Sequence, residues 1–279
     1  MQDKRILTIQ DISCVGQFSL TVALPIISAC GVETSILPSA VLSTHTSGFT
    51  GYTFRDLSED MPAINAHWRK EGIKFDAVYT GYLGSARQVA DVQAIMRDTL
   101  VPGGLRIVDP AMGDNGQLYP GFDAAYAQAM AALCGGADII LPNITEACFM
   151  TGVPYPDAGY DEAFIETLLD RLTGLGAGSV VLTGVSYAPD QLGVIVYERG
   201  RARAYFHERI SKGSHGTGDV YASAFTGALM RGFSIFEAAQ LAADFTVACI
   251  RRTLGDERHW YGVKFEQILP MLVERVNRG

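Results

Sequence analysis

Charge is scarce in this sequence: Asp, Glu, Lys and Arg make up 19% of 279 residues, against 48% apolar and 10% aromatic. That balance excludes a disordered chain and fits a globular protein with a large core. What charge there is leans one way, with 22 basic residues, 30 acidic residues and a net charge of -8. A chain of that sign has no sequence-independent hold on nucleic acid or on an anionic membrane. Cysteine is equally thin. Cys14, Cys30, Cys134, Cys148 and Cys249 are scattered without a CxxC pair, and an odd number cannot complete a disulfide framework. A reduced, cytoplasmic protein is expected. Long hydrophobic runs are missing too. Leu20 to Cys30 contains Pro25 and is too short to span a bilayer, and the apolar start is interrupted by Gln10 and Asp11, unlike a signal peptide.

Several catalytic signatures are also absent. There is no GxxxxGKS/T loop, no HExxH helix and no GxSxG elbow, and the first strand leads to Gly16 alone rather than to GxGxxG. A Rossmann dinucleotide site is therefore disfavoured. The histidines and cysteines show no metal-ligand spacing, and His259 and Trp260 read as structural.

The apolar residues that are present fall into short Val/Ile-rich runs. Arg5 to Ile9, Glu33 to Leu37, Ala77 to Thr80, Arg106 to Val108, Ile139 to Leu141 and Ser179 to Thr183 read as strands that are continuous rather than alternating. Continuous strands are buried on both faces, as in a parallel sheet covered by helices. Helix-length segments separate most of them: Ser19 to Cys30, Ala86 to Thr99, Ala124 to Leu133 and Glu162 to Leu175. Leu192 to Tyr197 and Ala202 to His207 flank a Glu-Arg-Gly-Arg turn and predict an edge hairpin. Ser234 and Glu237 have capping-box spacing ahead of a helix to Cys249, and a last helix is expected over Phe265 to Val276. The fold class is α/β, a mostly parallel sheet with helices on both faces, in a single domain over 1–279. Residues 43–52, rich in Ser, Thr and Gly, read either as a flap over a site or as an ordinary surface loop.

Three motifs carry candidate chemistry. Gly213-Ser-His-Gly-Thr-Gly-Asp219 opens the helical run Val220 to Met230, where free amides and the helix dipole can hold an anion. Asp219 in that turn would repel a phosphate, which makes sense if it faces an attacking hydroxyl; a first-turn acid favoured by the dipole is the plainer alternative. An ordinary Asp at a helix N-terminus is expected to be ionised near neutral pH. Asp109-Pro-Ala-Met-Gly-Asp-Asn-Gly116 follows a strand, where α/β sheets bind ligands, so Asp109 and Asp114 are candidates for ordering a metal or phosphates. Asn115 and Gly116 fit a simple turn equally well. Asn143-Ile-Thr-Glu146 reads first as a capping box, with Glu146 also placed to reach a metal-bound water.

Together these motifs resemble the ribokinase-like kinases, and within them the pyridoxal kinase family. The resemblance spans essentially the whole chain and rests on Thr80-Gly-Tyr-Leu-Gly-Ser85, on DPAMGD from Asp109 to Asp114, and on GTGD from Gly216 to Asp219. It implies a three-layer α/β/α fold and ATP-dependent phosphorylation of the hydroxymethyl group of a B6 vitamer, with Mg²⁺. A monovalent cation such as K⁺ and a homodimer come with the family. The resemblance places Asp219 on the catalytic base and Gly216, Thr217 and Gly218 on the anion hole. It places Asp109, Asp114, Asn143 and Glu146 with the ATP phosphates and Mg²⁺, the metal being met by Asp109, Asp114 and Glu146 directly or through water. Tyr119, Thr183, Lys212, Gly213, Ser214 and His215 fall on the nucleotide side, and Asp11, Ser13, His45, Thr46 and Tyr82 on the substrate side.

Two departures bear on the substrate. Asp11 stands where many members have Ser after the first strand, and a carboxylate there suits a protonated ring nitrogen or an amine. His215 ahead of GTGD is similar instead to the hydroxymethylpyrimidine kinases, which typically carry Cys where this chain has Asp219. That activity is the runner-up, followed by a non-catalytic B6-binding protein; a sugar kinase is disfavoured by GYLGS and by a short first strand.

Overall fold

The computed structural model describes residues 3–210 and 215–278. In chain order the elements are β1 (Arg5–Ser13), α1 (Leu20–Ala29), β2 (Glu33–Leu42), β3 (Phe54–Asp56), α2 (Met61–Lys70), β4 (Phe75–Thr80), α3 (Ala86–Thr99) and β5 (Leu100–Val108). There follow β6 (Gly113–Asp114), β7 (Gln117–Leu118), α4 (Ala124–Gly135), β8 (Ile139–Ile140), α5 (Ile144–Thr151), α6 (Glu162–Gly174) and β9 (Ser179–Val185). The chain finishes with β10 (Gln191–Glu198), β11 (Arg201–Glu208), α7 (Thr217–Met230), α8 (Ile235–Thr253) and α9 (Leu269–Arg278).

One nine-stranded sheet has the order β11-β10-β9-β8-β5-β4-β1-β2-β3. From β9 to β2 neighbouring strands are parallel, and the antiparallel pairs lie at the two ends. The reason for continuous apolar strands is visible in the core. Adjacent strand residues point to opposite faces. Ile6, Ala77, Tyr79, Ile107, Ile139 and Val181 pack with α1, α7, α8 and α9 on one face. Their neighbours Leu7, Val78, Val108, Ile140, Val180 and Leu182 pack with α3, α4, α5 and α6 on the other. This is the three-layer α/β/α arrangement expected from the sequence.

Each expected strand and helix is present, with shifted ends. β1 continues past Ile9 to Ser13 and β2 past Leu37 to Leu42, because pairing between them continues to Ser13 and Leu42 across an irregularity. The first strand is thus longer than its apolar residues indicate, a correction to the short strand expected. The last helix starts at Leu269, after turns that place Phe265 in the core. Four elements go unannounced in the sequence: the exposed edge strand β3, the two-residue strands β6 and β7, and helix α2, which carries little buried surface beyond Met61 and Asn65. The edge hairpin closes on Arg199 and Gly200, both at positive φ, 51 and 76, the two-residue turn whose twist matches the strands. No described helix is long and apolar enough to cross a membrane.

Phe225 on α7 is fully buried where that helix meets the sheet. Phe225→Ala is expected to lower unfolding free energy by about 3–5 kcal/mol. Urea denaturation would show this as a lower midpoint at an unchanged slope.

Candidate active site

The parallel strands present their carboxyl ends at one edge of the sheet, and the motifs gather there. β1 ends in Asp11 and Ser13, β4 runs into Gly81 to Ser85, β5 into Asp109 and β8 into Asn143, while Thr183 lies near the end of β9. From β1 the chain passes to β2 on one side and later to β4 on the other, which makes the β1/β4 junction a switch point of the sheet.

Asp11 lies at that junction and is only 5% exposed. The Ser13 hydroxyl donates to its Oδ2 at 3.1 Å. Burial holds the Asp11 carboxyl above the usual range, opposed by Ser19, whose side chain lies against it, and by Ser13. Tyr82 faces the same carboxylate: burial first, then the charge of Asp11 and nearby Tyr52, push its hydroxyl up to about 12. The Tyr82 ring rests on Phe122 at 5.4 Å, and Phe122 stacks on Tyr126 at 3.9 Å. An aromatic wall thus stands beside a buried acid.

Across from Asp11, Gly216 caps α7 in the left-handed conformation at φ 75. A side chain there would begin 2.4 Å from the Gln17 carbonyl oxygen, so the turn requires glycine. Thr217 and Gly218 form the first turn, and the half-buried Asp219 follows. The Asp219 Oδ2 accepts a hydrogen bond from the Ser19 amide at 3.1 Å. Its pKa is raised to about 7, chiefly by burial; the Ser19 amide acts against this and the charge of Asp11 reinforces it. The expectation of a carboxylate fully ionised at neutral pH is corrected accordingly. Loss of water outweighs the helix dipole.

The third group lies around Glu146, 3% exposed. Asn143 and Glu146 form the capping box of α5: Asn143 Oδ1 accepts from the Glu146 amide at 2.9 Å and Glu146 Oε2 from the Asn143 amide at 2.8 Å. Glu146 Oε1 accepts from the Met112 amide at 3.1 Å, and Asn143 Nδ2 donates to the Gly113 carbonyl at 2.9 Å. α5 is thereby fastened to the DPAMGD loop. Burial raises the Glu146 pKa to about 7. Asp109 is held well above the carboxylate range by burial and then by the charges of Glu146 and Asp219. Asp114 is exposed and accepts from the backbone and side-chain amides of Asn115 at 2.8 and 3.0 Å. The Tyr119 amide donates to the Met112 carbonyl at 2.8 Å, and the Thr183 amide to the Pro142 carbonyl at 2.9 Å.

Both Glu146 oxygens already serve backbone amides, and among the described residues no three His, Cys, Asp or Glu side chains converge as a metal cage. Of the carboxylates expected to meet a metal directly or through water, Glu146 is thus engaged with the backbone, while Asp114 is exposed. The oxygen donors at Asp109 and Asp114 suit a cation that keeps water and phosphate ligands, as Mg²⁺ does.

Residues 43–52 form most of the connection from β2 to β3 and are fastened at several points. His45 is 2% exposed, stacks on Phe18 at 4.0 Å and meets Phe49 edge-on at 4.9 Å, while Phe49 lies 4.6 Å from Trp260. The Ser47 amide donates to His45 Nδ1 at 3.1 Å, so Nε2 carries the proton and donates to the Tyr261 carbonyl at 2.9 Å. Both ring nitrogens are committed within the protein. The ring clasps the loop to the segment around Trp260. Thr46 is exposed on the loop. His215 is exposed ahead of Gly216; Lys212, Gly213 and Ser214 lie outside the described residues.

Sequence reasoning passed over Ser19, read only as a helix start. It is indeed the N-cap of α1, yet its side chain makes no capping hydrogen bond and its backbone sits at φ 51, ψ -126. A cavity of about 620 Å³ between β11, α8 and α9 contains none of the motif residues; its Arg251 pairs with Glu208 and its Arg275 with Asp244.

The family profile for phosphomethylpyrimidine kinase matches residues 24–263. The chain belongs to that family. Among its relatives is a pyridoxal kinase of Lactobacillus plantarum, 33% identical, with a TM-score of 0.90 and coverage of 99% of this chain and 98% of the other. A Bacteroides thetaiotaomicron protein crystallised with pyridoxal is 38% identical, with a TM-score of 0.91 and coverage of 97% and 96%. The pyridoxine/pyridoxal/pyridoxamine kinase of Bordetella bronchiseptica is 29% identical over 265 residues, 89% of each chain. The protein is an ATP-dependent kinase of the pyridoxal kinase group within the ribokinase-like superfamily.

In this kinase the folded Asp219 holds its proton to about pH 7, against an ordinary value of 3.8. The folded state therefore binds more protons between those values, and stability falls as pH rises through that window. Asp219→Asn is expected to raise Tm by an amount that grows from about pH 4 to about pH 7 and then levels. A gain of equal size at about pH 4 and about pH 8 would contradict this reading.

Proposed function

We propose that this kinase transfers the γ-phosphoryl group of ATP to the hydroxymethyl group of a B6 vitamer: pyridoxal, pyridoxamine or pyridoxine. The observation that carries the reading is the meeting of Asp11, Tyr82 and Asp219 at the β1/β4 switch point: a buried acid and an aromatic wall beside a carboxylate at a helix N-terminus. The 38% identical relative crystallised with pyridoxal supports it.

Asp11 takes the polar edge of the pyridine ring, pairing with a protonated ring nitrogen or with the amine of pyridoxamine. Ser13 orients that carboxylate, and Tyr82 supports the ring face. The primary hydroxyl then points to Asp219. With a pKa near 7 rather than 3.8, Asp219 is a competent proton acceptor at neutral pH, since a general base works best near the ambient pH. Its proton comes late, because the phosphoryl-transfer transition state is loose and asks mainly for positioning and charge stabilisation. Amides of Gly216, Thr217 and Gly218 at the start of α7 hold the transferring oxygens, where one well-placed donor contributes about 3–4 kcal/mol. Asp109, Asp114 and Glu146, directly or through water, would hold a Mg²⁺ ion that would neutralise charge on the ATP phosphates. Asn143 fixes the loop that carries them, and Tyr119, Thr183 and the segment 212–215 border the nucleotide. A homodimer and a cytoplasmic location belong to this reading by family analogy, as does K⁺. The loop 43–52 covers the acceptor and excludes water from the transfer.

The profile match and His215 ahead of GTGD favour hydroxymethylpyrimidine as a second acceptor. A Mg-ATP assay on the three vitamers and hydroxymethylpyrimidine decides between them. A vitamer is expected to give the highest kcat/KM, with an acid limb near pH 7. Asp219→Ala is expected to lose about 10²–10⁴ in kcat; near-normal kcat would remove Asp219 as base. Asp11→Ala is expected to raise KM at least about tenfold for the vitamer that pairs with it, the loss of a charge-assisted hydrogen bond. Unchanged KM for every vitamer would remove Asp11 from recognition.

A further inference from the structure

Ser19 occupies a backbone conformation that glycine adopts freely and L side chains rarely do, φ 51 with ψ -126. Its side chain is almost fully buried, 3% exposed, and is not used to cap the helix it precedes. Strain held at a buried position needs surroundings that fix it. Here three contacts do so. Ser19 forms an isolated bridge with Ile12 at the end of β1. Its amide donates to Asp219 Oδ2 at 3.1 Å. The bridge with Ile12 brings Ser19 to the end of β1 that carries Asp11, whose charged form the Ser19 hydroxyl favours.

We propose that Ser19 is a positioning residue joining the ring-reading acid to the proton-accepting one, its amide holding Asp219 and its hydroxyl holding Asp11. The assignment rests on the roles given above to those two carboxylates. The amide contact would survive in glycine, which would also relieve the backbone. Only the hydroxyl requires serine, and the hydroxyl meets Asp11. A serine kept in glycine's conformation is therefore accounted for by that second contact. Recognition of the ring edge and placement of the base are built on one residue, so a substrate that displaces Asp11 also disturbs the groove in which Asp219 sits.

The test is a pair of substitutions combined with an Asp11→Asn background. Ser19→Gly removes the hydroxyl, keeps the amide and frees the backbone, so its Tm is expected to hold or rise. Its kcat/KM is expected to fall by about tenfold or more, the scale of one charge-assisted hydrogen bond lost, with Ser19→Ala falling similarly. In the Asp11→Asn background the same Ser19→Gly change is expected to cost less than about twofold, because coupled residues are non-additive. Retention of kcat/KM within about twofold by Ser19→Gly overturns the proposal, as does a loss of equal size with and without the Asp11 carboxylate. A lowered Tm for Ser19→Gly overturns the strain argument on which it stands. These ratios are taken on whichever hydroxymethyl acceptor the parent kinase phosphorylates, pyridine or pyrimidine. Failure of the B6 reading is thus distinct from failure of the Ser19 assignment.

Discussion

Much of this structure answers to one constraint: acids that must lie close together where little water reaches them. Asp11, Asp219, Asp109 and Glu146 form a chain of neighbours along the carboxyl edge of the sheet, and burial raises the pKa of each. Buried charge is costly unless something answers it. The protein answers with main-chain amides placed by helix starts: Ser19 at α1 for Asp219, and Met112 and Asn143 around α5 for Glu146. Partial protonation supplies the remainder. The parallel sheet matters because it brings every such helix start to the same edge.

That arrangement separates two tasks by position. Around β1 and β4, aromatic rings stand beside Asp11, an arrangement suited to a flat heteroaromatic molecule. Around β5 and β8, the DPAMGD loop and α5 are cross-tied by Asn143 Nδ2 to the Gly113 carbonyl and by the Gly116 amide to Thr145 Oγ1 at 2.9 Å. Asp219 stands between the two regions, close enough to Asp11 on one side and Asp109 on the other for their charges to be felt. An acid so placed suits the part of the base in the proposed transfer.

The fold was largely legible because each buried strand must be apolar on both faces, and that requirement marks strands such as Val180 to Leu182 without ambiguity. Edge elements escaped for the complementary reason. β3 is wholly exposed and α2 half so, and neither needs an apolar signature. The motifs that gather at the sheet edge were legible because their spacing is local. What stayed hidden depends on neighbours distant in sequence. The protonation of Asp219 is set by burial among partners brought from β1 and α1, and the part played by Ser19 lies in a backbone angle that its side-chain identity does not announce.

The clasp on the β2–β3 loop has a consequence for how the protein is made. His45 is fastened to the carbonyl of Tyr261, 216 positions later, and Phe49 leans on Trp260. Synthesis proceeds from the N-terminus, and early segments fold while later ones are still on the ribosome. The anchor for this loop emerges long after the loop itself. A nascent chain therefore holds the strands and the acids at the sheet edge before it holds the residues that fasten this loop.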